Sequence, residues 1–179
     1  MDRTTRGARA FDLRSGSAGD EALVLGLLDD AVAWLGARGI TAQWGTAPFS
    51  SLPARVEQAR DWASSGGLVL ARAGDELCGA LVLGDAPAYA PPTDRPEVYV
   101  VLLVASRRPA ARGVGAVLLD HARTVAQDRG VERVRLDCFA GGDQSLVRFY
   151  EAKGFSRLGT FEVGTWPGQV LACAVPPAP

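Results

Sequence analysis

The stretch Val98-Tyr99-Val100-Val101-Leu102-Leu103-Val104, continuing through Ala105-Ser106-Arg107-Arg108-Pro109-Ala110-Ala111 into Arg112-Gly113-Val114-Gly115-Ala116, decides the fold. Residues 98–104 are apolar at every position. A strand with no polar face is buried on both sides, as at the centre of a sheet with helices above and below. From Gly113 the period changes: Val117, Leu118, Ala122, Val125 and Ala126 fall on one helical stripe, and Gly130 stops it. A glycine-bearing turn between strand and helix aims free backbone N–H groups at one point. The helix dipole adds about half a positive charge there. Such a turn is a seat for phosphate. The Walker pattern is excluded by Ala116 and Val117, and the dinucleotide fingerprint by Leu118 where a third glycine is required.

The flanking sequence alternates strands and helices. Residues 10–14 read as a first strand, and residues 20–38 as a helix with Asp20 at its N-cap and Gly39 as its stop. A second helix is expected over 52–64. Residues 68–72 and 77–83 form a hairpin, and the loop 85–96 carries Pro87, Pro91, Pro92 and Pro96. Strand 134–139, helix 143–152 closed by Gly154, and strands 155–163 and 169–175 complete the pattern. An α/β fold with a mixed sheet follows. The organisation expected is one domain over 10–175, with a flexible segment 1–9 and a Pro-rich tail 176–179.

Composition narrows the class. With 47% hydrophobic and 22% charged residues the chain can bury a core. A net charge of −1 gives no reason to expect nucleic acid or an anionic membrane as partner. No stretch approaches the roughly 20 apolar residues of a membrane span, and residues 1–10 lack the apolar core of a signal peptide, so a soluble cytoplasmic protein is expected. Cys78, Cys138 and Cys173 sit apart in apolar runs, and His121 is the only histidine, which argues for buried reduced thiols and no metal site.

A second block identifies the turn. Asp143-Gln144-Ser145-Leu146-Val147-Arg148-Phe149-Tyr150-Glu151-Ala152-Lys153-Gly154-Phe155 resembles the Asn-x-x-Ala-x-x-Leu-Tyr-Glu-Lys-x-Gly-Phe element of the GNAT superfamily of N-acetyltransferases. Residues 110–119 resemble that family's Gln/Arg-x-x-Gly-x-Gly/Ala pyrophosphate turn. The likeness is specific over 97–156 and architectural over 10–84. Ala110 replaces the usual Gln or Arg, Asp143 replaces an Asn, and the stretch from Val104 to Gly115 is one residue longer than common.

The resemblance implies a mostly antiparallel sheet splayed at its fourth and fifth strands and flanked by four helices. It implies acetyl-CoA as acyl donor, with no metal, and a small-molecule amine (or a peptide) as acceptor, in a homodimer. Leu103 and Val104 would pair with the pantetheine, near Asp143. The N–H groups of Arg112, Gly113, Val114, Gly115 and Ala116 would hold the pyrophosphate, with Arg107, Arg108 or Arg112 on outer phosphates. Tyr150 matches the tyrosine that reprotonates the departing thiolate. Glu97 is the expected base, with Asp137 the second candidate; His121 reads as structural. Trp44, Phe49, Tyr89, Tyr99 and Trp166 are candidates for the acceptor pocket, and the loop 85–96 for a lid. Two rivals share the fold: a non-catalytic CoA-binding module, and an enzyme acetylating aminoacyl-tRNA, which the charge disfavours. Another acyl donor or reaction remains open, because fold does not fix chemistry.

Overall fold

A computed structural model describes residues 10–177. The expected segment 1–9 and the last two residues of the expected tail lie outside them. The elements run β1 (Asp12–Ser15), α1 (Glu21–Gly36), α2 (Pro53–Ser64), β2 (Leu68–Ala73), β3 (Glu76–Gly84), β4 (Val98–Ala105), α3 (Val114–Asp128), β5 (Arg133–Phe139), α4 (Ser145–Glu151), β6 (Ser156–Val163) and β7 (Trp166–Ala174). The seven strands form one sheet in the order β1-β2-β3-β4-β5-β7-β6. Every pairing is antiparallel except β4 with β5. The mixed, splayed sheet expected from the sequence is therefore present.

The local details have local causes. Pro53 starts α2, where its missing N–H costs nothing. The β2–β3 hairpin turns on Gly74-Asp75, tighter than the sequence suggested, with Gly74 at φ 60°. Helix α1 ends at Gly36, short of Arg38, because Gly39 is left-handed and the Ile40 N–H turns back to the Leu35 carbonyl. Asp20 holds the N-cap position, but its side chain does not cap. Its carboxylate instead accepts from the Ser17 N–H at 2.9 Å and pairs with Arg14 at 2.7 Å, tying α1 to β1.

Two cores sandwich the sheet. On one face Val98, Val100, Leu136 and Cys138 pack with Leu118, Ala122 and Ala126 of α3 and with Val147 and Tyr150 of α4. On the other, Leu70, Ala80, Val82, Leu102 and Val104 pack with Val24, Leu28 and Ala31 of α1 and Ala59 of α2. Strand β4 changes allegiance between Val100 and Leu102. Val82 pairs with Leu102 but Leu83 with Val100, so Val101 is an extra residue, a bulge. Residues 98–104 show no polar alternation because core covers both faces of β4, and at the bulge odd and even positions swap faces. All three cysteines are buried and unpaired, as expected.

Candidate active site

The parallel ladder between β4 and β5 holds only Val98 to Val134, Tyr99 to Arg135 and Val100 to Leu136. Past the bulge β4 continues to Ala105 with no partner on that side, because β5, held to β7 along its other edge, diverges from β4 after Leu136. The backbone of residues 101–105 thus presents amide and carbonyl groups in the gap with no strand partner, which water or a polar ligand must satisfy. A cleft of about 390 Å³ passes through this gap. It is lined by Val101, Leu103, Asp137 and Cys138 from the parted strands and by Leu146 and Tyr150 of α4. On the opposite face of the sheet it opens among Trp44, Phe49, Arg55, Trp62, Tyr89 and Trp166.

The turn before α3 lies at the end of the same strand. A single 3-10 turn, Pro109–Ala111, takes up the extra length between Val104 and Gly115. The Arg112 N–H is spent on the Pro109 carbonyl at 3.3 Å and the Ala116 N–H on the Gly113 carbonyl at 3.1 Å. That leaves the N–H groups of Gly113, Val114 and Gly115 without a backbone acceptor among the described residues, a narrower set than the expected 112–116. Gly113 sits at φ 92°, which a side chain would strain. The chemistry of this donor set fits a pyrophosphate, and α3 is long enough to carry a dipole. Arg112 is exposed beside the turn, whereas Arg108 faces Glu76 at 3.6 Å and Arg107 stacks on Trp34 of α1 at 4.0 Å.

Asp137 projects from β5 into the cleft, and the Tyr99 hydroxyl donates to its carboxylate. Burial pushes the Asp137 carboxyl above the usual range; the Tyr99 bond and the Arg135 charge pull partly the other way. Tyr99 itself is fully buried and supports Asp137 rather than lining the cleft. Tyr150 lies across the cleft, 5% exposed, its hydroxyl bonded to no protein group among the described residues. Burial, then the charges of Cys138 and Asp137, raises its pKa, so it is protonated at neutral pH.

Glu97 is not part of the cleft wall. Its carboxylate is held by Arg135 at 2.7 and 3.0 Å and faces Arg133 at 3.7 Å. Asp143 is exposed and accepts from the Ser145 N–H at 2.9 Å in the turn before α4, outside the cleft. The Val104 side chain is buried in the α1/α2 core. His121 is half-buried on α3, away from the cleft. Trp44, Phe49, Tyr89 and Trp166 all reach the cleft, and Trp166 Nε1 donates to the Gln43 carbonyl at 2.9 Å. The loop 85–96 is anchored: Arg135 donates to the Pro91 carbonyl at 2.5 Å, and Tyr89 stacks on Phe161 at 5.2 Å.

Sequence reasoning did not single out Arg55, Gln58 and Trp62 of α2, which also line the cleft. A signal existed for Asp137 and Arg135: with Arg133 they put three charges at alternate positions of an otherwise apolar strand, which mark one polar face beside the centre of the sheet. Among the described residues no cluster of three or more His, Cys, Asp or Glu side chains could hold a metal ion. No described helix is long and apolar enough to cross a membrane.

Known proteins place this geometry. The acetyltransferase (GNAT) family model matches residues 36–155. No curated protein matches the sequence. Among solved structures the chain is similar to a GNAT-family acetyltransferase from Listeria monocytogenes, with TM-score 0.68 and 18% identity over 95% of this chain and 98% of that one. It is also similar to the ribosomal-protein-S18-alanine N-acetyltransferase of Escherichia coli, with TM-score 0.65 and 13% identity over 95% and 97% of the two chains. The PaiA N-acetyltransferase of Thermoplasma acidophilum, solved with coenzyme A, gives TM-score 0.63 and 15% identity over 92% and 99%. These likenesses show the fold, and the matched model spans most of the chain: the protein belongs to the acetyltransferase (GNAT) family.

Proposed function

We propose that this protein is a cytoplasmic N-acetyltransferase that moves the acetyl group of acetyl-CoA to the amine of a small molecule by direct attack. The observation that carries this reading is the placement of Asp137 and Tyr150 on opposite sides of one cleft, beneath a strand edge with unpaired backbone groups. The donor would lie along residues 101–105, with its pyrophosphate on the N–H groups of Gly113, Val114 and Gly115 and Arg112 near an outer phosphate.

The residues then divide the proton work. An ammonium near pKa 10 cannot attack until it loses a proton. Asp137 accepts that proton, directly or through a water. The free amine attacks the thioester carbonyl; the C–N bond forms and the C–S bond breaks. Tyr150 gives its proton to the sulfur, and the second proton of the amine nitrogen restores the phenol. The balance is one amide, one thiol and one proton released to solvent. Asp137 takes the role expected of Glu97, because Glu97 is neutralised by two arginines outside the cleft.

A homodimer is the assembly we favour. Strand β6 is the edge of the sheet, exposed along most of its length with Leu158 and Val163 on its surface, and a second copy would cover it.

Calorimetric titration of acetyl-CoA into the protein, repeated with Gly113→Glu, tests the donor site. Micromolar binding that the variant loses is the expected result; no binding by the unmodified protein would overturn the reading. Binding without thiol release across a broad amine panel would favour a non-catalytic CoA-binding module.

A further inference from the structure

Among the described residues only two formal charges line the cleft, and they have opposite signs: Asp137 at the split between the strands and Arg55 on the first turn of α2. They are not partners of each other. Asp137 is held by Tyr99. Arg55 donates to Gln58 Oε1 at 2.8 Å, and its guanidinium lies 4.8 Å from the centre of the Phe49 ring. No carboxylate within ion-pair distance of Arg55 occurs among the described residues. A guanidinium carries five N–H donors in a rigid fork. Arg55 is thus fixed by a side-chain bond and an aromatic face while most of its donors remain free, which is the preparation for gripping an anion. Tyr89 lines the same cleft and feels both charges: after burial, Asp137 is the next influence raising its pKa to about 12, and Arg55 opposes it.

Resting on the acetyltransferase reading, we infer that the acceptor is an amino-acid-like zwitterion with an apolar body, its ammonium at Asp137, its carboxylate at Arg55 and its side chain among Trp44, Phe49 and Trp166. The alternatives fit the cleft less well. A polycationic amine would bring like charge against Arg55. A neutral-bodied amine without an anion would leave the exposed guanidinium to water and gain nothing from it. The N-terminus of a peptide fits no better, because its first residue has a neutral amide where the carboxylate should be. Arg55 is accordingly a specificity-determining residue, distinct from the groups that move protons.

The test is acetyl-dependent thiol release measured on matched acceptors: L-phenylalanine, L-phenylalaninamide and phenethylamine, and likewise for leucine, methionine and tryptophan. The expected result is that, in at least one series, the carboxylate-bearing member has the higher kcat/KM by about tenfold or more, chiefly through KM, as a charge-assisted hydrogen bond provides. Arg55→Gln should bring the members of that series to near equality, with Arg55→Lys between. Equal rates for the carboxylate and decarboxylated members, or a preference for the latter, would overturn the inference. So would no turnover of any member by protein that still binds acetyl-CoA in the calorimeter. Loss of acetyl-CoA binding in the unmodified protein is the separate result that removes the acetyltransferase reading itself.

Discussion

The Tyr99 hydroxyl donates to the Asp137 carboxylate across the place where β4 and β5 part, joining residues 38 positions apart in sequence. The bond favours the ionised carboxylate, while burial favours the protonated acid. On the proposed mechanism Tyr99 is therefore a positioning residue that holds Asp137 in its proton-accepting form. Tyr99→Phe removes that influence, so the Asp137 pKa rises further. The acid limb of the kcat/KM profile should move to higher pH, with the plateau at alkaline pH less affected. A unchanged acid limb would show that Asp137 is not the group titrating in it.

Replacing the carboxyl itself should separate activity from stability. Asp137→Asn keeps the shape and can still accept from Tyr99, but it cannot take a proton. Activity should fall about 10²-fold or more. The raised carboxyl pKa fixes the sign of the stability effect. Its contribution is fully present below the unfolded value of about 3.9 and is lost as pH rises through the folded value. The asparagine variant escapes that loss. Its Tm should exceed that of the unmodified protein at pH 8, by about 2–4 °C for each kcal/mol recovered, and the gap should close on acidification. Thermal melts at several pH values check this; a gap that does not change with pH would contradict the buried charge.

Tyr150→Phe addresses the acid. The hydroxyl has no protein partner among the described residues, and the ring packs edge-on against Phe149 and Phe155 at 5.1 and 6.0 Å. Removing the oxygen leaves no buried donor or acceptor stranded, so the melting temperature should hold. The kcat should fall about 10²-fold, with KM for the acceptor little changed. An unaltered kcat would mean that the thiolate leaves without help from Tyr150.

Much of this arrangement was readable in the sequence, and the rest was hidden for identifiable reasons. The apolar run ending at Val104 and the Gly113–Gly115 turn mark the proposed donor seat, because strand, turn and helix are contiguous in sequence. The block ending in Tyr150, Gly154 and Phe155 is local in the same way. The base was harder. Glu97 and Tyr99 share one face of β4 by alternation, but alternation does not say which charge across the sheet claims each. Arg135 takes Glu97 and leaves Asp137 to Tyr99. Such pairing depends on the parallel register of β4 with β5, a ladder of only three residue pairs. Arg55 was hidden differently. On an amphipathic helix an exposed arginine has no signature until the loop carrying Trp44 and Phe49 is folded beside it.

The junction of β1 with α1 makes a prediction about acid stability. Asp20 accepts from both Arg14 guanidinium nitrogens, at 2.7 and 2.9 Å, and from the Ser17 N–H. The Arg14 bonds are the largest cause of a carboxyl held down at about 2, with the Ser17 N–H adding to them. A depressed folded pKa means stability that is present above the unfolded value of about 3.9 and is lost as pH falls toward the folded one. Asp20→Asn forfeits the ion pair at every pH. At pH 7 the variant should therefore melt a few degrees lower than the unmodified protein. The difference should shrink between about pH 4 and pH 2, as the native carboxyl is protonated and loses its hold on Arg14. Salt should narrow the gap at pH 7 only in part, because the Asp20 side chain is just 12% exposed and the bond to the Ser17 N–H does not depend on the ion pair. Equal melting temperatures at pH 7 would show that the contact orders the junction without stabilising it.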